Sequence, residues 1–299
     1  MNDVETGDEA EQSPEPTSLV ADEANGLWKP MLRLAAPVMA EETLLLLVGY
    51  TDWWLTGNFL SGSEPKAAMA LMSYMMWLMP SLFSAIAIGA TAVVARRVGE
   101  RRPGEGNLAA NQSLVLGLLI ALVGTVVVLG LVGPLPRAMQ LSAGSAALAS
   151  EYLGIVSWVI PLIMCEQVVA ACLRGAGDTV TGFLAKSIVV VINLIVSAGL
   201  VTGWGPFPEL GWKGLAYGTA CGHGVGGLLL LAVFCYGRSG LKLRTDLLRP
   251  RRNVIRLLLR IGLPGGADMA AILGCQFVFV AVINRIGDEA AAAHGLAVQ

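Results

Sequence analysis

The stretch LAAPVMAEETLLLLVGYTDWWLTG, residues 34–57, has the length and apolar character of a helix that crosses a membrane. It also carries an aspartate, Asp52, near the end of its apolar run. A carboxylate at the centre of a lipid-spanning helix costs about 2.5–3.5 kcal/mol on insertion scales, so such residues usually face an interior cavity, a partner charge or a transport path. We therefore expect this helix to belong to a bundle and Asp52 to have a functional role.

Similar apolar runs recur along the 299-residue chain, of which 55% is hydrophobic and only 14% is charged. Each run is about long enough to cross a hydrocarbon core of roughly 30 Å as a helix, and charges lie mostly between the runs. This pattern excludes a soluble domain and predicts an all-α polytopic membrane protein. The predicted spans are residues 34–57, 67–95, 108–133, 147–173, 182–203, 212–236 and 257–284, and an eighth span begins near residue 290.

The segments outside the spans predict the domain organisation. Residues 1–27 carry only acidic charges, and we expect a disordered tail. Residues 28–237 form a predicted N-terminal lobe of six helices. Residues 238–256 are a basic cytoplasmic linker that is either solvated or held by anionic lipid headgroups. Residues 257–299 begin a second lobe.

Basic residues lie predominantly on one side of the predicted spans. The segments 96–102 and 238–260 hold many arginines, whereas the opposite side has only isolated basic residues such as Arg137 and Lys213. The positive-inside rule then places the N-terminus in the cytoplasm and the chain in the cytoplasmic membrane.

A weak internal repeat relates the first and seventh spans. LAAPVMAEE at 34–42 resembles IGLPGGADM at 261–269, and Pro37 aligns with Pro264. Six helices separate the copies, so both enter the membrane in the same direction, as in transporters whose halves are related by an axis along the membrane normal. We expect both prolines to kink their helices.

Four motifs, in this order, resemble the multidrug and toxic compound extrusion (MATE) transporters. They are APVMAEETLLLLVGYTD at 36–52, LRGAGDT at 173–179, INLIVSAGLVTG at 192–203 and FPELGWKGLAYGTA at 207–220. Members of that family are antiporters with two six-helix lobes, which exchange protons or sodium for organic cations or other amphipathic compounds. The resemblance covers about residues 28–299, and it implies a complete N-terminal lobe with a truncated C-terminal lobe.

The resemblance also implies a site for the coupling ion. The first-helix aspartate of the family maps onto Asp52, and its fifth-helix asparagine maps onto Asn193. Ser197 stands where some members have a second acid, and Thr219 is a further nearby oxygen ligand. We expect a proton in preference to sodium, because sodium needs several oxygen ligands whereas a proton needs one carboxylate.

Other polar side chains at membrane depth are candidates for an ion path. Glu41 shares a helix face with Asp52, roughly 16 Å away, and either extends that path or pairs with Arg33 or solvent. Glu166 could line the cavity, and His223 could relay protons or simply bond to a neighbouring helix. We expect Lys186 to snorkel to the cytoplasmic surface and to act as an anchor.

Methionines and glycines mark helix faces. Met72 and Met76 in the second span either line a promiscuous cavity or pack in the core. In the sixth span glycines recur every fourth residue, which lets a neighbouring backbone approach closely. These glycines are Gly214, Gly218, Gly222 and Gly226.

The motif LRGAGDT predicts a rigid cytoplasmic turn between the fourth and fifth spans. Gly175 and Gly177 would end one helix, and Asp178 or Thr179 would cap the next. Arg174 is expected to reach Asp178.

These features predict a cation-coupled antiporter that exports organic, cationic or amphipathic compounds. The alternatives are a lipid-linked substrate flippase of the same superfamily, against which the acids Asp52 and Glu166 argue, and a non-transporting truncated lobe. An enzyme is not expected, since HExxH and GxSxG motifs are missing from the sequence. We predict no organic cofactor and no metal site beyond the coupling ion. The predicted partners are the lipid bilayer and a small-molecule substrate, not nucleic acid, and the oligomeric state is open.

Overall fold

The computed structural model describes the backbone of residues 16–298, with side chains from Trp28 to Ala297 except at positions 30, 79, 80, 82 and 273. This part of the chain is helical. The helices are α1 (Pro16–Phe59), α2 (Glu64–Gly99), α3 (Pro103–Leu131), α4 (Pro134–Ala138), α5 (Ala143–Ser157), α6 (Ile160–Gly175), α7 (Val180–Thr202), α8 (Trp212–Tyr236), α9 (Arg252–Asn284) and α10 (Asp288–Val298).

The expected all-α membrane architecture is confirmed. Among the described helices, α2, α3, α7, α8 and α9 are each long and apolar enough to cross a membrane. The predicted fourth span is broken, because α5 and α6 meet at a bend of 58° and satisfy the same criteria only as a pair. Pro161 lies in the first turn of α6, where its missing N–H has no helical partner to lose. The first predicted span lies within α1, and the predicted eighth coincides with α10.

The first helix starts earlier than expected. Residues 16–27, assigned to a disordered tail from their charge, are the first turns of α1, and residues 1–15 of that tail lie outside the described residues. Pro16 occupies the first position of α1, where a fixed φ favours helix initiation, and no further proline occurs until position 30.

The glycine face of α8 sets how α7 and α8 pack. A methyl group added at Gly214 would lie 2.7 Å from the backbone nitrogen of Val201, and one at Gly222 would lie 2.9 Å from the carbonyl oxygen of Val189. Both distances are too short for a side chain, so the two backbones are in direct contact, as the four-residue spacing of glycines predicted.

Helix α9, which opens the predicted second lobe, packs along α2 through a seam of small residues. Methyl groups at Gly262 and Gly89 would overlap the carbonyl oxygens of Ala85 and Leu258 respectively, and one at Gly266 would lie 2.6 Å from the Cβ of Ala85. Pro264 lies inside α9 between two of these glycines, and the helix continues beyond it. Pro37 likewise lies inside α1.

The predicted linker is docked onto α3 through its backbone, while most of its side chains are exposed. Asn111 is fully buried, donates a hydrogen bond to the carbonyl oxygen of Lys242 (2.9 Å) and accepts one from the backbone N–H of Arg244 (3.0 Å). Asn107 accepts a hydrogen bond from the backbone N–H of Lys242 (2.8 Å). The linker also ends earlier than expected, because Arg252 already belongs to α9.

Gln112 fixes the second half of the same linker. Its fully buried amide donates to the carbonyl oxygens of Leu247 (2.6 Å) and Arg249 (2.9 Å), and it accepts a hydrogen bond from the backbone N–H of Arg251 (2.6 Å). Side-chain amides thus replace the hydrogen bonds that an irregular backbone would otherwise take from water. We call Asn107, Asn111 and Gln112 the amide clamp.

Candidate functional site

Buried polar side chains of helices α1, α5, α7 and α8 cluster around Asp52, and we call this cluster the Asp52 pocket. The polar side chains of this pocket are Asp52, Thr56, Tyr152, Asn193, Ser197 and Thr219, all of them buried. The close approach of α8 to α7 brings Thr219 next to Asn193 and puts Ser197 directly against Gly218. The residues that the resemblance assigned to the coupling ion therefore come together in one pocket.

Hydrogen bonds connect three helices of the Asp52 pocket. The side-chain oxygen of Thr219 lies 2.9 Å from the hydroxyl of Tyr152 and accepts a hydrogen bond from the amide of Asn193 at 3.3 Å. Tyr152 also lies within electrostatic range of Asp52. The hydroxyl of Thr56 donates to the carbonyl oxygen of Asp52 (2.7 Å), so that hydroxyl is already engaged within α1.

Three buried oxygens of the pocket have no hydrogen-bond partner among the described residues. They are Oδ1 of Asp52, Oδ1 of Asn193 and Oγ of Ser197. Leaving a buried polar atom unpaired costs about 1–3 kcal/mol, and more when the group is charged. Three such atoms in one pocket form an environment that a proton or a small cation would stabilise.

Tyr152 is a pocket residue that the sequence reasoning missed. It is fully buried in α5, and its hydroxyl forms a hydrogen bond with the side-chain oxygen of Thr219 on α8. A tyrosine at membrane depth needs a partner for its hydroxyl, which was the signal available in the sequence.

A second buried cluster of ionisable side chains joins α6, α7 and α8. Lys186 forms an ion pair with Oε1 of Glu166, and Nδ1 of His223 lies 2.7 Å from Oε2 of the same carboxylate. The side chains are 3% exposed for Glu166, 2% for Lys186 and 14% for His223. The prediction that Lys186 snorkels to the surface was wrong, because an acid on the adjacent helix pairs with it inside the lobe. Glu166 is buried, and both of its carboxylate oxygens have a partner in this cluster.

Glu41 extends this ionisable cluster toward the end of α6 and the start of α7. It is buried, and its Oε2 lies 3.4 Å from Nη1 of Arg174. It is also within electrostatic range of Lys186 and Glu166. The expected pairing of Glu41 with Arg33 or solvent is therefore wrong, as is the expected contact between Arg174 and Asp178.

The LRGAGDT motif forms a tight connection between α6 and α7. Gly175 ends α6 against α2, since a methyl group there would lie 2.7 Å from the carbonyl oxygen of Thr91. Gly177 adopts a φ of +88°, which glycine tolerates best. Thr179 holds the position before α7, but its side chain makes no capping hydrogen bond.

Asp178 provides the cap of α7 and also binds the linker. Its carboxylate accepts hydrogen bonds from the backbone N–H and hydroxyl of Thr181 (3.0 and 2.8 Å), from Arg238 (2.9 Å) and from Ser239 (3.1 Å). Partial burial alone would raise the pKa of Asp178, but the bonds from Arg238 and Thr181 outweigh it and lower the pKa to about 2. The motif therefore joins the turn to the linker.

The methionines of α2 have a packing role. Met72 is fully buried in the core formed with α5 and α8, and Met76 is partly buried against the same core. Packing is thus observed for Met72, whereas Met76 keeps partial exposure and its place in a cavity stays a prediction.

Comparison with known proteins identifies the family. A model of the MatE family matches residues 37–198, more than half of the chain. The chain belongs to the MATE family. This assignment makes it a multi-pass integral membrane protein within a family of transporters, as the sequence predicted.

Relatives of this MATE chain are longer than the chain itself. The probable multidrug resistance protein NorM of Thermotoga maritima is 26% identical over 286 residues, covering 94% of this chain and 60% of the relative. The probable multidrug resistance protein YoeA of Bacillus subtilis is 24% identical over 295 residues, covering 96% and 62%. The chain thus spans about 60% of the length of these relatives.

Solved MATE structures share the fold. The MATE multidrug transporter DinF-BH superposes with a TM-score of 0.83 at 22% identity, covering 90% of this chain and 59% of that one. An inward-facing multidrug resistance MATE transporter of the MOP superfamily gives a TM-score of 0.76 at 24% identity, covering 89% and 60%.

Proposed function

We propose that the chain supplies the ion-coupling lobe of an efflux antiporter and that Asp52 carries the coupling ion. The observation that carries this proposal is the set of three unpaired buried oxygens, on Asp52, Asn193 and Ser197. A site that is emptied and refilled during transport must contain groups that protein contacts alone leave unsatisfied. Relatives with multidrug resistance names support export of organic compounds.

We assign the coupling ion as a proton, not sodium. Sodium would need several oxygen ligands, and among the polar side chains of this pocket Asp52 is the carboxylate, with Ser197 where some family members have a second acid. A proton on Asp52 needs only one acceptor, and the unpaired Oδ1 of Asn193 in the same pocket can provide it. This pocket therefore suits a carboxylic acid that alternates between protonated and ionised forms.

The substrate is proposed to be an organic cation or another amphipathic compound, exported across the cytoplasmic membrane with the N-terminus in the cytoplasm. The arginine-rich segments 96–102 and 238–260 support this orientation. One charge that returns inward down 100 mV releases about 2.3 kcal/mol, enough for roughly a fifty-fold gradient of a neutral substrate.

The test is transport by the complete gene product in proteoliposomes, under a pH gradient without sodium and then under a sodium gradient at equal pH. Asp52→Asn should abolish pH-driven export and leave expression near normal. Glu42→Gln is the matched control, since Glu42 is an exposed acid on the same helix. Export by Asp52→Asn at the wild-type rate would refute the assignment of Asp52, and export driven by sodium alone would refute the proton.

A further inference from the structure

We infer that Glu166, Lys186 and His223 form a proton relay between the Asp52 pocket and the cytoplasmic ends of α6 and α7. The inference rests on the proposed function, because a relay is needed only if Asp52 exchanges a proton. It concerns the route by which that proton reaches the cytoplasm through the interior of the lobe.

The cluster lies on the cytoplasmic side of the pocket. On α8, His223 follows Thr219 by four residues, or about 6 Å, in the direction of the cytoplasm. On α7, which runs the opposite way, Lys186 precedes Asn193 by seven residues, or about 10 Å. Both helices therefore place the cluster one to two turns below the pocket.

The glycine face of α8 makes the two groups neighbours. A methyl group at Gly222 would lie 3.2 Å from the Cβ of Asn193, and one at Gly226 would lie 3.4 Å from Oε2 of Glu166. One face of α8 therefore contacts both the pocket and the cluster. Between them on this face, Val189 of α7 packs against Gly222 with its carbonyl oxygen and against Gly226 with its side chain.

The route continues from the cluster to the cytoplasmic surface. Glu41 lies within electrostatic range of Lys186 and Glu166, and it pairs with Arg174 at the end of α6. A methyl group at Gly182, in the first turn of α7, would lie 3.6 Å from Oε2 of Glu41. The side chain of Arg174 is 22% exposed, whereas Glu41, Glu166 and Lys186 are almost fully buried.

The charges around His223 balance when the imidazole is neutral. Glu166 is matched by Lys186, and Glu41 is matched by Arg174. The helices that pack against α8 carry the buried titratable side chains Tyr152 (α5), Cys165, Glu166 and Cys172 (α6) and Lys186 (α7), with Arg174 at the end of α6, while Glu41 and Asp52 lie on α1. Exposed groups nearby include Cys221 on α8 itself and the ion pair of Glu151 with Lys213. A proton that moves from Asp52 to the imidazole therefore gives the cluster of Glu166, Lys186 and His223 a charge of +1 and leaves Asp52 at −1, and the cycle continues when the proton leaves the cluster.

The hydrogen bond to Glu166 fixes how His223 would act. In the neutral ring Nδ1 carries the hydrogen that Oε2 of Glu166 accepts, which leaves Nε2 as the proton acceptor. Asp52 would lose its proton, Nε2 would gain it, and cytoplasmic water would take it up by way of Glu41. Lys186 holds the other oxygen of Glu166 and so keeps the carboxylate in position. A buried ion pair is weak evidence for a purely stabilising role.

The experiment separates proton movement from substrate movement. The complete gene product is reconstituted, and two activities are measured: export driven by a pH gradient, and exchange of labelled for unlabelled substrate at equal pH. Exchange requires no net proton movement. We expect His223→Gln, which keeps a hydrogen-bond donor for Glu166 but cannot carry a proton, to lose pH-driven export by at least about tenfold and to retain exchange.

A charge-matched pair of variants guards against misfolding. Glu166→Gln with Lys186→Met removes both buried charges together, so neither is left unpaired. Its control is Glu151→Gln with Lys213→Met, which removes an exposed ion pair of 2.8 Å between α5 and α8. The first double variant should lose pH-driven export and retain exchange, and the second should keep both activities.

Each outcome decides the inference. Normal pH-driven export by His223→Gln overturns the relay. Loss of both activities by His223→Gln also overturns it, because the side chain would then be structural. A wild-type protein that shows neither activity, or that exports without Asp52, overturns the proposed function and the relay with it.

Discussion

Replacing Gln112 with leucine tests whether the amide clamp holds the linker. The side chain makes three hydrogen bonds, to the carbonyl oxygens of Leu247 and Arg249 and from the N–H of Arg251. Leucine has a similar volume but can make none of them. At a net value of about 0.5–1.5 kcal/mol for each bond, Gln112→Leu should destabilise the docked linker by about 1.5–4.5 kcal/mol.

This loss should raise the population of the undocked linker by about ten- to a thousandfold, since each 1.36 kcal/mol is a factor of ten. Limited digestion with trypsin measures that population, because the side chains of Arg251 and Arg252 are already exposed and cleavage after them needs a backbone that is released from Gln112. When opening is fast relative to cleavage, the cleavage rate follows the open population. We expect rapid cleavage within the linker and little change elsewhere.

Gln140→Leu is the matched control for this digestion. Gln140 is exposed, and its amide makes only one long contact, 3.5 Å from the carbonyl oxygen of Ala138. Trypsin should cut the linker of the Gln140→Leu protein at the wild-type rate. Cleavage of Gln112→Leu at that same rate would show that the clamp does not secure the linker, and cleavage throughout the chain would show global unfolding in place of local opening.

Three further predictions concern the packing, the turn and the orientation. Gly222→Ala should destabilise the protein by about 1–3 kcal/mol, because the added methyl group would lie 2.9 Å from a backbone oxygen. Gly224→Ala should stabilise the protein by up to about 1 kcal/mol, because the nearest atom to its methyl group is 4.0 Å away. Thermal unfolding of both variants in the same detergent compares them. Asp178 has a pKa of about 2, below its ordinary value of 3.8, so its stabilisation is present above pH about 4 and is lost as the pH falls toward 2. Asp178→Asn should therefore be less stable than wild type at neutral pH, and the two melting curves should converge in acid; a difference independent of pH would contradict this. A cysteine at the exposed position Thr245, with the native cysteines removed, should react with an impermeant maleimide only in opened cells, and labelling of intact cells would reverse the topology.

The apolar runs sufficed to predict the membrane helices, because length and hydropathy alone decide whether a segment can span lipid. The Asp52 pocket could be predicted from the sequence for a related reason. Asp52 is conspicuous in an apolar helix, and helical spacing puts Asn193 and Ser197 on one face of α7. Tyr152 has no such periodic signal, since a tyrosine also fits a membrane interface.

Pairing across helices could not be read from the sequence. Lys186 lies near enough to a helix end to snorkel, and only the packing of α6 against α7 reveals Glu166 as its partner. The side chains of the amide clamp are visible in the sequence, because Asn107, Asn111 and Gln112 cluster at one end of an apolar helix. Their partners are backbone groups of a distant loop, which no pattern of side chains specifies.

The seam between α2 and α9 affects whether ions can leak through the helix bundle. A carrier that works against an ion gradient loses its driving force through any continuous file of water molecules. Where Gly262 and Gly266 meet Ala85, backbone touches backbone and leaves no width for such a file. In the antiporter proposed above, the small residues at this junction would therefore keep ions from leaking between α2 and α9 past the coupled route.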